Sequence, residues 1–399
     1  MRDETILIVG GGIGGLCAAL ALGQSGWTVR VLEQAPQFGA IGYGIQLGPN
    51  VFPMLSRLGV AEAVQAASVL PGNVWMFDAF TGRPVTRVRT DKAFRERFGA
   101  PYIVIHRVDL HNILVEACRK SPLIHLDEDA SVTGYEDRGD HVVVSTRDGR
   151  TIEGAAVIGA DGLRSRIRTQ IMGDSEPVPT GYVAHRTIVP IEKAPKNIPL
   201  DDVVLWAGPG FHIVHYPLRN GTIFNIVAVF ETETYAQKGD VEAYRAELQR
   251  TYAKAQPAMQ EMISLLDLER RWPIADRPPQ RGWSKGRAVL MGDAAHATLQ
   301  SLAQGAGMAM EDAVILGALI DRHRDDLPAA FPAFEKARIV RTARVQLESR
   351  AMWERFYHTG GVEAEVRNAI EAERSHEDVW QCLDWLYRGA EVPGAPAGA

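Results

Sequence analysis

An α/β fold with a second, β-sheet domain and a C-terminal helical segment is what this sequence predicts, and three observations predict it. Residues Thr5–Gly10 read TILIVG, a short apolar run that ends in glycine and passes through Gly10-x-Gly12-x-x-Gly15 into the apolar stretch CAALALGQSG. Between 180 and 230 the chain alternates in the manner of strands, in TGYVAHRTIVPI, DVVLWAGPG, FHIVHYPLRNG and TIFNIVAVF. From about Gly305 onward the pattern is mostly helical.

The first run is a buried strand, a glycine turn and an apolar helix. Gly10 permits the tight turn, Gly12 lets a pyrophosphate approach the backbone, and Gly15 lets helix and strand pack closely. The helix start adds free N–H groups and the positive end of a dipole. A second strand, TVRVLEQ, ends at Glu33, 18 residues beyond Gly15. A carboxylate there can accept hydrogen bonds from ribose hydroxyls. Strand, glycine triplet, helix, strand and acid in register predict a Rossmann-like dinucleotide site.

At 399 residues the chain can bury a large core and is long enough for two domains. A net charge of −6 gives no sign of nucleic-acid or general membrane affinity. No basic leader or cleavage site precedes the first strand. No apolar stretch reaches the ~18 residues that span a bilayer. Cys17, Cys118 and Cys382 are odd in number and lack CxxC spacing, which argues against a disulfide framework and a zinc site. A reducing cytoplasm is the simplest compartment, and Cys17 reads as a small core residue.

After Glu33, GAIGYGIQLGPN carries four glycines between 39 and 48, a loop able to run beside a flat ring, and Pro49-Asn50 opens a helix. NVWMFDAFTGRPVTRVRT is a hairpin about Thr81-Gly82. YIVIHR is a strand, and VDLHNILVEACRK has helical apolar spacing. Arg107 at their join is either a solvated arginine or a phosphate or ring contact. A β segment with turns at Arg138-Gly139-Asp140 and Asp148-Gly149 leads to the strand Ala155–Gly159, then Asp161-Gly162 and the basic segment LRSRIR. Asp161 thus lies at the carboxyl edge of a parallel sheet, where open α/β sheets bind ligands.

The 180–230 stretch predicts an antiparallel sheet. In FHIVHYPL, His212, Val214 and Tyr216 share one face, and Phe211, Ile213 and His215 the other. The first face suits an aromatic ligand, or else holds two satisfied polar residues at a sheet surface. Residues 240–271 are helical. Arg287–Met291 is a strand entering Gly292-Asp293, followed by a small-residue loop and a helix from about Gly305. Trp353, Phe356, Tyr357, Trp380, Trp385 and Tyr387 in the helical end either cover the core or form the surface of a homodimer. The tail PGAPAGA reads as disordered.

Three motifs stand in order: the N-terminal glycine triplet with Glu33, GADGLRSRIR at 159–168, and GDAAHATLQSLAQGAGMAMEDA at 292–313. Together they resemble the single-component FAD-dependent aromatic hydroxylases, the family that includes salicylate and hydroxybenzoate hydroxylases. The likeness spans essentially residues 1–345. It implies a Rossmann-like FAD-binding domain of residues 1–72, 101–178 and 272–328. A β-sheet substrate domain of 73–100 and 179–271 and a helical segment of 329–399 complete the chain.

By the same resemblance Gly10, Gly12 and Gly15 take the FAD pyrophosphate and Glu33 the adenosine ribose. Arg107 contacts FAD, Asp161 serves FAD and the nicotinamide, and Gly292 and Asp293 hold the ribityl and pyrophosphate portion. The Gln304–Gly307 region, with Gly305 and Ala306, lies beside the isoalloxazine. Ala297 stands where the family commonly has proline, which implies a less rigid loop. His212, Tyr216 and Gln300 match the subgroup that acts on 3-hydroxybenzoate.

That match implies hydroxylation through a flavin hydroperoxide, with 3-hydroxybenzoate going to 2,5-dihydroxybenzoate. Oxygen and NADH (or NADPH) are co-substrates. His212 is the expected base, its ordinary pKa of ~6.5 suiting proton transfer near neutrality. Gln300 orients the phenol oxygen and Tyr216 holds the carboxylate. His212 and Tyr216 stand ~13 Å apart at Cα, enough for their side chains to reach opposite ends of one ring. The competing readings are a decarboxylating salicylate-type hydroxylase, an FAD-dependent dehydrogenase or oxidase, and a non-catalytic nucleotide-binding protein.

Overall fold

The structure, a computed structural model, describes residues 5–39, 42–173, 176–233 and 241–394. Residues 40 and 41 of the glycine-rich loop and 395–399 of the tail lie outside the described residues.

The chain opens with Ile6–Val9 (β1), Ile13–Gln24 (α1) and Val29–Leu32 (β2). Asn73–Asp78 (β3) and Pro84–Arg89 (β4) form the expected hairpin. Arg107–Arg119 (α2) follows the strand Ile103–His106 and leads to Ile124–Asp127 (β5). A three-stranded antiparallel sheet of 132–154 precedes Ala156–Gly159 (β6). LRSRIR proves to open a helix, Arg166–Met172 (α3).

Next come Val178–Pro190 (β7), Val203–Gly208 (β8), Phe211–Leu218 (β9) and Ile223–Glu231 (β10). Val241–Tyr252 (α4), Pro257–Ser264 (α5), Trp272–Asp276 (β11) and Ala288–Leu290 (β12) follow. The helical end holds Gly305–Arg322 (α6), Leu327–Ala351 (α7), Gly361–Glu373 (α8) and His376–Tyr387 (α9). Between α7 and α8, residues Met352–Tyr357 wind as a π-helix.

Two sheets position the site. In the first, β12, β6, β1, β2 and β5 lie side by side and parallel, with Ser284–Lys285 as an antiparallel edge. Strands covered on both faces must be apolar throughout, and β1 and β6 are buried at every residue.

The second sheet runs β11-β7-β10-β9-β8-β3-β4. It was expected to be antiparallel and is mixed, because β3 joins β8 in parallel. The chain reaches β3 before it enters the 180–230 stretch, so the β3–β8 pair joins distant segments, and such a pair carries no hairpin mark.

Alternation splits the second sheet cleanly. Phe211, Ile213, Phe224, Ile226, Ala228 and Phe230 pack against Tyr244, Leu248 and Tyr252 of α4 and Met259 and Met262 of α5. His212, Val214 and Tyr216 point the other way, into a cavity. No described helix is long and apolar enough to cross a membrane. Cys17 and Cys118 are buried free thiols.

Candidate active site

The glycine triplet does what its spacing predicts. Gly10 sits at φ +109, and a Cβ on Gly15 would lie 2.0 Å from the Gly10 carbonyl oxygen, so strand and helix approach as closely as glycine allows. A Cβ on Gly12 would meet nothing within 4 Å, leaving an open lane beside the backbone at the start of α1. The Glu33 carboxylate accepts from the Gly11 N–H at 2.7 Å and the Ala35 N–H at 2.9 Å. Each oxygen keeps a lone pair for a ribose hydroxyl.

The lane opens into a cavity of about 530 Å³ between the two sheets. Gly12, Arg107, Gly292, Asp293, Gly305 and Ala306 line one side. His212, Tyr216 and Gln300 line it as well, so residues from four distant stretches of sequence meet there. Asp161 is placed differently. Its neighbours Ala160 and Gly162 face the cavity, while its carboxylate accepts from the Arg166 and Ile167 N–H groups and from the Ser165 hydroxyl. It thereby secures the N-terminus of α3. Burial raises its pKa, against the pull of those bonds.

A buried ionic cluster fixes the GDAAH loop. The Gly292 N–H and His296 Nε2 donate to Asp312 Oδ2 at 2.9 and 2.6 Å, and Arg338 Nε donates to Asp312 Oδ1 at 2.6 Å. Arg338 and Arg341 both pair with Glu311 at 2.7 Å. Burial pushes the Asp312 carboxyl up, but His296 and Arg338 win and hold it at about 2. Arg168, fully buried, donates to the Ala294 and Ala295 carbonyls at 2.9 and 2.8 Å. The arginine of one motif thus ties down the loop of another.

The substrate side is built by register. His212, Val214 and Tyr216 of β9 pair with Val229, Val227 and Asn225 of β10. A Cβ on Gly44 would strike the Tyr216 ring at 2.3 Å, so the glycine-rich stretch, which from Gly44–Leu47 is a strand paired with Ile103–His106 and not the expected loop, lies directly on that tyrosine. His212 Nδ1 and His358 Nε2 share a proton over 2.8 Å, and Trp353 meets the His212 ring edge-on at 5.2 Å.

Burial, reinforced by His358, lowers the His212 pKa well below its ordinary value. Burial thus favours the neutral ring over the protonated one, against a base poised near its ordinary value. Burial also raises the Tyr216 hydroxyl, keeping it protonated as a donor.

The place of several lining residues was not legible in the sequence. Phe356, Tyr357 and Tyr387 close the cavity from the helical end, and the Tyr357 hydroxyl donates to the Ser301 carbonyl at 2.7 Å. Trp353, Trp380 and Tyr387 are buried. These three cover the interior. Arg186, also in the lining, donates from Nη2 to Gln300 Oε1 at 3.0 Å.

The donor set fits FAD. The open lane at Gly12 admits a pyrophosphate at the start of α1, and Arg107 lines the same cavity. The Asp293 carboxylate faces the cavity and has no hydrogen-bond partner among the described residues, as a contact for ribityl hydroxyls requires.

The comparisons with known proteins agree. A family model described as "FAD binding domain" matches residues 3–325. A 3-hydroxybenzoate 6-hydroxylase of Polaromonas naphthalenivorans (strain CJ2) is 42% identical, with 96% of each chain covered. One of Klebsiella oxytoca is 39% identical, again over 96% of each. Among solved structures, Klebsiella pneumoniae HpxO complexed with FAD and uric acid superposes with a TM-score of 0.85 at 27% identity, covering 97% of this chain and 98% of that one. The glycine lane, the cavity beneath it and these full-length likenesses place the chain in the family of FAD-dependent aromatic hydroxylases.

Proposed function

We propose that this enzyme hydroxylates 3-hydroxybenzoate at the carbon para to its phenol, giving 2,5-dihydroxybenzoate. One observation carries the reading: His212, Val214 and Tyr216 leave a single face of β9 into the cavity that Gln300 enters from the opposite loop. The relatives named 3-hydroxybenzoate 6-hydroxylase support it.

Bound along Gly10, Gly12, Gly15, Glu33, Arg107, Gly292, Asp293, Gly305 and Ala306, FAD supplies electron transfer from NADH and oxygen activation. Asp161 belongs to this set through its position at the edge of the lane. The polypeptide's own work is orientation and proton transfer. A phenol becomes reactive ortho and para as its hydroxyl ionises, so a group that takes the proton directs the chemistry.

His212 has Nδ1 engaged with His358, leaving Nε2 for the substrate hydroxyl. Gln300 has its oxygen engaged by Arg186, leaving its amide N–H groups to donate to the phenol oxygen as it gains charge. Tyr216 donates to the carboxylate. Val214 and Val227 give the ring an apolar floor that excludes water.

The division of the chain at 1–72, 101–178 and 272–328 against 73–100 and 179–271, with 329–399 as the helical end, belongs to the same proposal. So do a cytoplasmic location and a homodimer, the latter to be tested by sedimentation.

The function is tested by incubating FAD-loaded protein with NADH and each monohydroxybenzoate and identifying the products. The expected result is 2,5-dihydroxybenzoate from the 3-isomer. Preferential conversion of the 2- or 4-isomer, or release of carbon dioxide, would overturn the assignment.

A further inference from the structure

Arg186 enters the cavity from β7, opposite Val227 of β10, which in turn pairs with Val214 of β9. Partners across an antiparallel sheet share a face. The arginine therefore stands level with Val214, with His212 on one side of that level and Tyr216 on the other.

Its surroundings hold no counter-charge among the described residues. Among the described residues no carboxylate forms an ion pair with it, and the groups that act on its charge are Tyr216, Tyr43 and a second cation, Arg107. Nη2 is used on Gln300, while Nε is buried without an acceptor among the described residues. A buried guanidinium left in this condition is costly, and a carboxylate that accepts from two of its N–H groups removes the cost.

We propose that Arg186 is the specificity-determining residue that recognises the carboxylate of the aromatic acid, with Tyr216 as the second donor; this rests on the hydroxybenzoate reading above. The same side chain orients Gln300. Arginine has only donors to offer, so the Gln300 oxygen must face it and the Gln300 amide N–H groups must face the ring. One guanidinium thus serves both ends of the substrate, the carboxylate directly and the phenol oxygen through Gln300. An aromatic acid should bind well and the matching neutral amide poorly, because the amide offers the fork one acceptor and no charge.

The test compares wild type, Arg186→Met and Arg186→Lys, each saturated with FAD. Binding of 3-hydroxybenzoate and of 3-hydroxybenzamide is read from the perturbation of flavin absorbance, independently of turnover. Loss of a charge-assisted bond predicts that Arg186→Met weakens acid binding by about 10–100-fold, and amide binding, which loses only the orientation of Gln300, by much less. Arg186→Lys should keep part of the acid preference, since it keeps the charge without the fork.

Equal losses for acid and amide would overturn the proposal and make Arg186 a general support of the pocket or of FAD. Unchanged acid affinity in Arg186→Met would overturn it too. A folding defect shows separately, as failure to retain FAD; Arg186→Lys then decides by its acid-to-amide ratio. The underlying reading fails in a different place: wild-type protein that binds no hydroxybenzoate would sink both, whereas wild type that prefers acid to amide while Arg186→Met does the same sinks only this one.

Discussion

His212 can accept a phenolic proton in only one tautomer. Its Nε2 must carry the lone pair, so its proton sits on Nδ1 and points at His358 Nε2, 2.8 Å away. The depressed pKa keeps the ring neutral, which is the form that accepts. Loss of a general base costs ~10²–10⁴-fold. His212→Ala should lower hydroxylation by that order with FAD still bound, and part of the NADH consumed should appear as hydrogen peroxide. Hydroxylation at the native rate would remove His212 from the mechanism.

That His212 and Tyr216 share one face was legible from strand periodicity, while their choice as site residues came from the family resemblance. Arg186 was not. Its strand is two removed from β9, and only the register of β7 on β10 brings it level with Val214. His358 was equally hidden, and Phe356 and Tyr357 stood out only as aromatics of the helical end, because a helical pattern does not state which distant sheet it will cover.

At the scale of elements, the loop after α6's preceding strand tests a departure from the family pattern. Ala297 was expected to loosen the loop where proline is common. It sits at φ −50, close to the value that a proline ring enforces. Its carbonyl accepts from Gln346 Nε2 at 3.1 Å and from the Arg277 N–H. Tertiary bonds hold the path that proline would otherwise preset. Ala297→Pro should therefore stabilise the protein by about 0.4–1 kcal/mol through the unfolded chain, read as a higher unfolding midpoint with the same substrate affinity. A lower midpoint would show that the N–H of Ala297, or the helical His296 before it, resists the ring.

Other elements show the same limit of sequence reading. Strand, turn and helix positions around Gly10, Gly292 and Gly305 came out within a residue or so, since apolar runs and glycines mark them locally. The helix Lys92–Phe98 went unnoticed, although Asp91 caps it and Gly99 ends it at φ 74. Seven residues give too few turns for an apolar period to emerge.

For the whole molecule, acid is the revealing variable. His215 faces away from the cavity, fully buried, with neither ring nitrogen bonded among the described residues, and burial drives its pKa down to about 3. Unfolded, it titrates near ~6.5. The folded state refuses a proton that the unfolded chain accepts, so this contribution is intact above the unfolded value and is lost progressively as pH falls toward 3. Asp312 adds loss of the same sign lower down, between its ordinary value of 3.8 and about 2.

His215→Phe should flatten the upper part of this acid limb. It should also raise stability at neutral pH by roughly 1–3 kcal/mol, the usual penalty of an unsatisfied buried polar group. An unchanged slope between pH 6 and 4 in urea titrations would count against the assignment. FAD itself is expected to be tight but non-covalent: purified protein should be yellow, and acid precipitation should release the colour into the supernatant.

The π-helical turn at Met352–Tyr357 makes the number of residues in this stretch a functional variable. Such a turn accommodates one residue more than an α-helix would. Wound as a regular α-helix at the same length, the segment would turn every side chain beyond it by about 100°. Tyr357 would leave Ser301, and His358 would swing off His212, with no amino acid of the pocket altered in identity. Variants of this segment therefore divide by length before they divide by composition. A relative one residue shorter at 352–357 should present the same side chains from a regular α-helix.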